Sequence, residues 1–121
     1  MERIQVDTLK GKTLVDIKIN DADNYIEFKD SDGNVYEMFH SQDCCESVGI
    51  DDIEGNLTDL IGSPLLVAEE VNNGDLSAKD VYDDSYTWTF YKFATEKGYV
   101  TIKWYGTSNG YYSEGVDFYK R

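Results

Sequence analysis

His40, Asp43, Cys44, Cys45 and Glu46 form the one stretch where nucleophilic and metal-binding side chains crowd together. An imidazole beside a thiol is the pair used in covalent catalysis, with His40 as the base. Zinc asks for four nitrogen or sulfur donors, usually with two to four residues between paired cysteines. Here the cysteines are adjacent and no second Cys or His pair exists in the chain. Zinc is therefore disfavoured, and no metal or cofactor is expected. Adjacency also argues against a bond between the two sulfurs. Disulfides prefer Cα atoms roughly 4.4–6.8 Å apart, and one peptide holds them near ~3.8 Å. The expectation is two reduced thiols, one packed as a small apolar side chain. A small enzyme built on His40 and the Cys44–Glu46 loop is the third-ranked of three readings.

The carboxylates invite two further chemistries. A glycosidase needs one acid and one base flanking a bond, a pairing that acid content alone does not supply. A calcium loop needs fixed spacing, a central Gly and a terminal Glu. Asp30-Ser31-Asp32-Gly33-Asn34 lacks that Glu and reads as a hairpin turn, with Gly33 suited to the left-handed position. No Gly-rich phosphate loop is present.

Charge and rings are unevenly spread. The chain has 121 residues and a formal net charge of −13, from 24 acids against 11 Lys and Arg. Residues 43–84 carry twelve acids and one base, Lys79, for a net −11. Residues 85–121 are net +2 and hold twelve of the seventeen aromatics. A uniform solubility coat would not look like this, although charge runs are commonly solvated loops. The acidic balance disfavours duplex DNA as a partner, because phosphate binding needs Lys and Arg. No apolar run approaches the ~18 residues of a membrane span. Without a leader pattern, and with reduced thiols, the expected compartment is the cytosol.

The elements that must position these groups are mostly strands, and residues 1–121 read as one domain. Met1–Leu9 is a short helix or a lead-in strand, with Ile4, Val6 and Leu9 fitting neither period well. Thr13–Ile19 alternates, with Val15, Ile17 and Ile19 on one face. Tyr25–Lys29 puts Ile26 and Phe28 inward, and Val35–His40 returns beside it. Val48–Ile53 is a short strand or turn. Asn56–Ile61 is a short helix capped by Asn56 and stopped by Gly62 and Pro64. Leu65–Val71 is a strand or a helix start, and Asn72–Asp84 is a polar loop. Ser85–Ala94 and Tyr99–Tyr105 pair across Thr95–Gly98, with Val100, Ile102 and Trp104 on one face. Gly106–Gly110 is a turn, and Tyr111–Tyr119 is the last strand, with Val116 and Phe118 inward. The fold class is α+β and mostly β: an antiparallel meander of six or seven strands, with one or two short helices closing the core.

Several runs resemble a family of small phage and bacterial proteins, the domain of unknown function 7448. They are Gln42–Val48, Ile61–Pro64 with Ala68–Glu70, Trp88–Lys92, and Trp104–Gly106 with Ser108–Glu114. The resemblance extends from Leu9 to Phe118. It implies no activity. It implies a context: a phage or prophage accessory protein, of a kind that often antagonises host defence.

Two binding readings therefore lead. In the first, Asp51, Asp52, Glu54, Glu69, Glu70, Asp83 and Asp84 imitate nucleic-acid charge and occupy a basic groove of a host defence protein, such as a Cas nuclease. In the second, Tyr91, Lys92, Tyr99, Lys103, Tyr105, Asn109, Tyr111 and Tyr112 sequester a cyclic nucleotide without turnover, rings on the base and lysines on the phosphates. The same rings would suit a protein partner, or a second copy of the chain covering the sheet.

Overall fold

The computed structural model describes residues 1–72 and 76–121, so Asp75 and part of the polar loop lie outside it. The strands are β1 (Glu2–Arg3), β2 (Leu14–Ile19), β3 (Tyr25–Asp30), β4 (Val35–Phe39), β5 (Ser47–Glu54), β6 (Val67–Asn72), β7 (Ser85–Thr95), β8 (Gly98–Ser108) and β9 (Asp117–Lys120). The mostly-β reading holds, but the strands divide into two antiparallel sheets, ordered β1-β9-β4-β3-β2 and β5-β8-β7-β6. The expected meander is β2-β3-β4. The chain then leaves to build the second sheet and returns as β9, beside β4. The expected last strand is cut to four residues, because 109–116 is a loop.

The second sheet, not helices, closes the core. The helical elements among the described residues are two 3-10 turns, Val6–Leu9 and Leu57–Leu60. Asn56 caps the second as expected, its Oδ1 accepting from the Thr58 N–H at 3.0 Å. A longer helix has no room there, because Gly55 and Gly62 both take positive φ. Leu60 is buried on its inner side, and Val6 and Leu9 are buried from the other turn.

Alternation decides what each strand gives the core. Ile26 and Phe28 from β3, Tyr36 and Met38 from β4, and Phe118 from β9 face Phe93 and Tyr91 from β7 and Val100, Ile102 and Trp104 from β8 in one cluster. Phe28 and Phe93 meet across the two sheets, ring centroids 5.8 Å apart. Two bulges shift the simple alternation. One lies between Leu14 and Asp16, so Leu14 and Ile17 both turn inward and Val15 is 46% exposed, opposite to its expected side. The other lies between Ile50 and Asp52, which puts Asp51 and Asp52 outward while Ile50 and Ile53 stay half-buried. The segment leading into β6 is tied to the start of β2 by Gly62 N–H to Leu14 O at 2.9 Å and Leu65 N–H to Lys12 O at 2.9 Å. A third stitch runs from Ile50 N–H to Asp23 O at 2.7 Å.

Candidate functional site

The outer face of the second sheet is where the predicted acids and rings come together. Cross-strand partners share a face. Glu69, Lys92, Thr101 and Glu54 form one row across β6, β7, β8 and β5, and Val71, Phe90, Lys103 and Asp52 form the next. Acids therefore stand on both edge strands, three strand spacings or roughly 14 Å apart, with lysines and rings between them.

A segment expected to be a free polar loop covers the centre of that face. Trp88 Nε1 donates to Ser77 O at 3.1 Å, and the Lys79 N–H donates to the Tyr105 hydroxyl at 3.0 Å. The Tyr105 hydroxyl donates to Asp83 at 2.6 Å, and Lys79 pairs with Asp51. The Lys79 ammonium lies 5.6 Å from the Tyr105 ring centroid, and Trp88 packs 4.5 Å from the same ring. Residues 77–83 thus form a strap over Trp88 and Tyr105, and they carry Asp80 and Asp83 onto the outer layer.

Of the seven predicted acids, Asp51, Asp52, Glu54, Glu69, Asp83 and Asp84 lie on this layer or at the strap's foot. Glu70 does not: it stands on the opposite face of β6, still exposed, and accepts from the Tyr91 hydroxyl at 2.6 Å. Glu54 pairs with Lys103 at 2.5 Å, and this hydrogen bond is the main cause of a raised Lys103 pKa. Asp52, Glu69 and Asp84 are exposed.

The predicted nucleotide set does not converge. Tyr91 is fully buried in the core. Tyr99 is 80% exposed near one end of β8, and Tyr105 stands six residues along the same strand, roughly 20 Å away. Tyr111 and Tyr112 pack edge to face with each other in the 109–116 loop, beside Asn109. Lys103 is engaged by Glu54, which leaves Lys92 as the exposed cation of the set. Period-two alternation assigns a ring to a face, but it cannot show that another segment covers that face.

The His40–Glu46 loop is drawn together, though not as a nucleophile pair. Contrary to the expected free thiols, Cys44 and Cys45 are joined by a disulfide, their Cα atoms 3.7 Å apart. The preference for a wider Cα separation is overridden in a tightly pinned loop. Glu46 Oε1 accepts N–H bonds from Asp43 at 3.0 Å and Cys44 at 2.9 Å, and Gln42 Nε2 donates to it at 2.6 Å. The compartment inferred from reduced thiols loses that support. Burial raises the Glu46 carboxyl, but the N–H groups of Cys44 and Asp43, its own backbone and then His40 bring it below the ordinary range. His40 Nδ1 donates to Gly115 O at 2.7 Å, and Nε2 lies 3.7 Å from Glu46 Oε2. Among the described residues no cluster of three or more His, Cys, Asp or Glu could hold a metal ion.

Four phenols are tied to carboxylates. Burial and then Asp83 push Tyr105 up to about 12, and burial and then Glu37 push Tyr25 up to about 12. Burial also raises Tyr91 and Tyr36, helped by Glu70 and Asp30. A phenol with a raised folded pKa contributes stability that is complete below its unfolded value of ~10 and is lost as pH climbs through the folded value. An alkaline titration followed by tyrosinate absorbance should therefore fall short of all ten tyrosines until pH exceeds about 12 or the fold gives way. All ten ionising together near pH ~10 in a folded chain would contradict these pairings.

A family model described as a domain of unknown function, DUF7448, matches residues 7–118. No curated protein and no solved structure matches the chain. No helix among the described residues is long and apolar enough to cross a membrane.

Proposed function

The chain belongs to the domain of unknown function 7448 family, and from that premise we propose that it is a non-catalytic binding protein whose acidic outer layer occupies the basic, nucleic-acid-binding surface of another protein. The observation that carries this reading is the register of the second sheet. It puts Asp52 and Glu54 on one edge and Glu69 on the other edge of a single face. The strap adds Asp80 and Asp83 to that face. The edge separation of roughly 14 Å is close to the ~12 Å width of the duplex major groove. Acids so placed steer a cationic partner into contact and make the association fast and salt-sensitive. A host defence protein that grips nucleic acid is the partner class, met in the cytosol. No observation favours the cyclic-nucleotide reading over this one, since its rings and lysines are dispersed.

The test neutralises acids whose contacts lie at the surface, such as Glu54 with Lys103 and Asp52 with the Ile53 N–H. Asp52→Asn, Glu54→Gln, Glu69→Gln and Asp84→Asn spare Glu70 and Asp83, which anchor Tyr91 and Tyr105. The immobilised parent should retain nucleic-acid-binding proteins from host lysate at low salt and release them as salt rises. The fourfold variant, with unchanged circular dichroism, should retain at least tenfold less. Equal retention by both would overturn the proposal.

A further inference from the structure

The strongest unassigned feature lies away from the acidic layer, where the β2–β3 turn, the ends of β3 and β4 and the start of β5 enclose a cleft of about 390 Å³. Asn20, Asn24, Tyr25, Phe39, His40, Gln42 and Val48 line it. None of these carries a formal charge at neutral pH with His40 neutral, in a chain whose net charge is −13. Small-molecule sites commonly measure ~300–1,000 Å³ and combine apolar walls with a few fixed polar groups.

Each wall has a defined chemistry. Tyr25 and Phe39 are cross-strand partners with ring centroids 5.9 Å apart, and both line the cleft half-buried. Asn20 Nδ2 donates to Asn24 Oδ1 at 2.6 Å, and the Asn24 N–H donates to Asn20 Oδ1 at 3.0 Å. This fixes both carboxamides and leaves the Asn24 amide N–H groups to donate outward. Gln42 Nε2 is spent on Glu46 O at 2.8 Å and Glu46 Oε1 at 2.6 Å, so its Oε1 is the open acceptor. His40 donates from Nδ1 to Gly115 O, which fixes the ring at the cleft wall. Its Nε2 and Glu46 Oε2 face each other at 3.7 Å, both buried, and neither is open to the cleft.

We propose that this cleft binds an uncharged nucleobase, free or as a nucleoside. A base edge alternates donors and acceptors within one plane, matching the Asn24 donors and the Gln42 acceptor. Asn and Gln side chains are common readers of such edges. A base face stacks on an aromatic ring without needing charge. A phosphate finds no Lys or Arg in the lining and meets the repulsion of the whole chain. The inference is independent of the acidic layer, none of whose residues lines the cleft.

Calorimetry with adenosine, guanosine, cytidine and uridine, each beside its 5′-monophosphate and with glucose as a control, tests it. At least one nucleoside should bind, with its monophosphate at least tenfold weaker. Asn24→Ala, at an exposed turn, should weaken binding by about tenfold or more. Gln42→Ala provides a second variant should the turn be disturbed. Amide resonances of Phe39, His40 and Gln42 should shift on titration while that of Tyr105 stays. The proposal is overturned by no nucleoside binding at millimolar concentration, by glucose binding in its place, by a monophosphate binding as well as its nucleoside, or by binding that both variants leave unchanged. Loss of the cleft ligand with retained capture by the acidic layer removes this proposal alone.

Discussion

Phe93→Ala should lower the unfolding free energy by about 3–5 kcal/mol, the range for removing a large buried ring. Phe93 sits on the inner face of β7, almost wholly buried, and its ring meets that of Phe28 on β3. The contact spans the two sheets, and Phe28 also packs edge-on against Phe118 with centroids 6.0 Å apart. Little in this region can collapse into the space, because neighbouring positions are held by strand pairing on both sides. Urea unfolding of Phe93→Ala, Phe28→Ala and the double variant measures the cost. It also measures a coupling of about 0.5–1.5 kcal/mol between the rings. A loss below ~1.5 kcal/mol, nearer an Ile→Val trim than a ring deletion, with no coupling, would contradict the packing of one sheet on the other.

Gly55→Ala should be nearly as damaging, at about 3 kcal/mol, combining backbone strain with overpacking. Gly55 has φ +97, and a Cβ there would run into the backbone carbonyl of Tyr99 and the Cα of Val100 at 3.2 Å. Gly33 is the control. It has φ +87 with nothing within 4 Å of its Cβ position, so Gly33→Ala carries the conformational cost alone, about 1 kcal/mol. Thermal or urea unfolding of the two variants side by side separates strain from collision. Equal losses would mean that the close approach of the 55 turn to β8 is not there.

The sequence exposed those parts of the fold that follow from period and turn chemistry. Ile26 and Phe28, the Asp30–Asn34 hairpin, the Asn56 cap and the inward Val100, Ile102 and Trp104 could all be read from local pattern. Val15 could not be placed, because a bulge adds a residue without any compositional mark. The division into two sheets was also hidden. A strand that pairs with its sequence neighbour and a strand that returns to a distant one have the same alternation, so β9 beside β4 is a long-range fact. At the site, the acids were visible as a charge run, and strand register then decided which of them share a face. Glu70 looked like Glu69 but belongs to the opposite face of β6, where it accepts from the Tyr91 hydroxyl. The strap was invisible, because Ser77, Lys79 and Asp83 have loop composition and act through single hydrogen bonds. The cleft was missed for a related reason: Asn20, Asn24 and Gln42 are ordinary turn residues until the fold brings them beside Phe39 and His40.

The acidic layer itself is tested most directly on DNA-cellulose loaded with host proteins. Free parent chain added at micromolar concentration should displace bound proteins in proportion to its amount, and ever less effectively as salt is raised. The Asp52→Asn, Glu54→Gln, Glu69→Gln, Asp84→Asn variant should displace none at the same concentration. Displacement by the variant equal to that by the parent, or no displacement by either at low salt, would contradict the account.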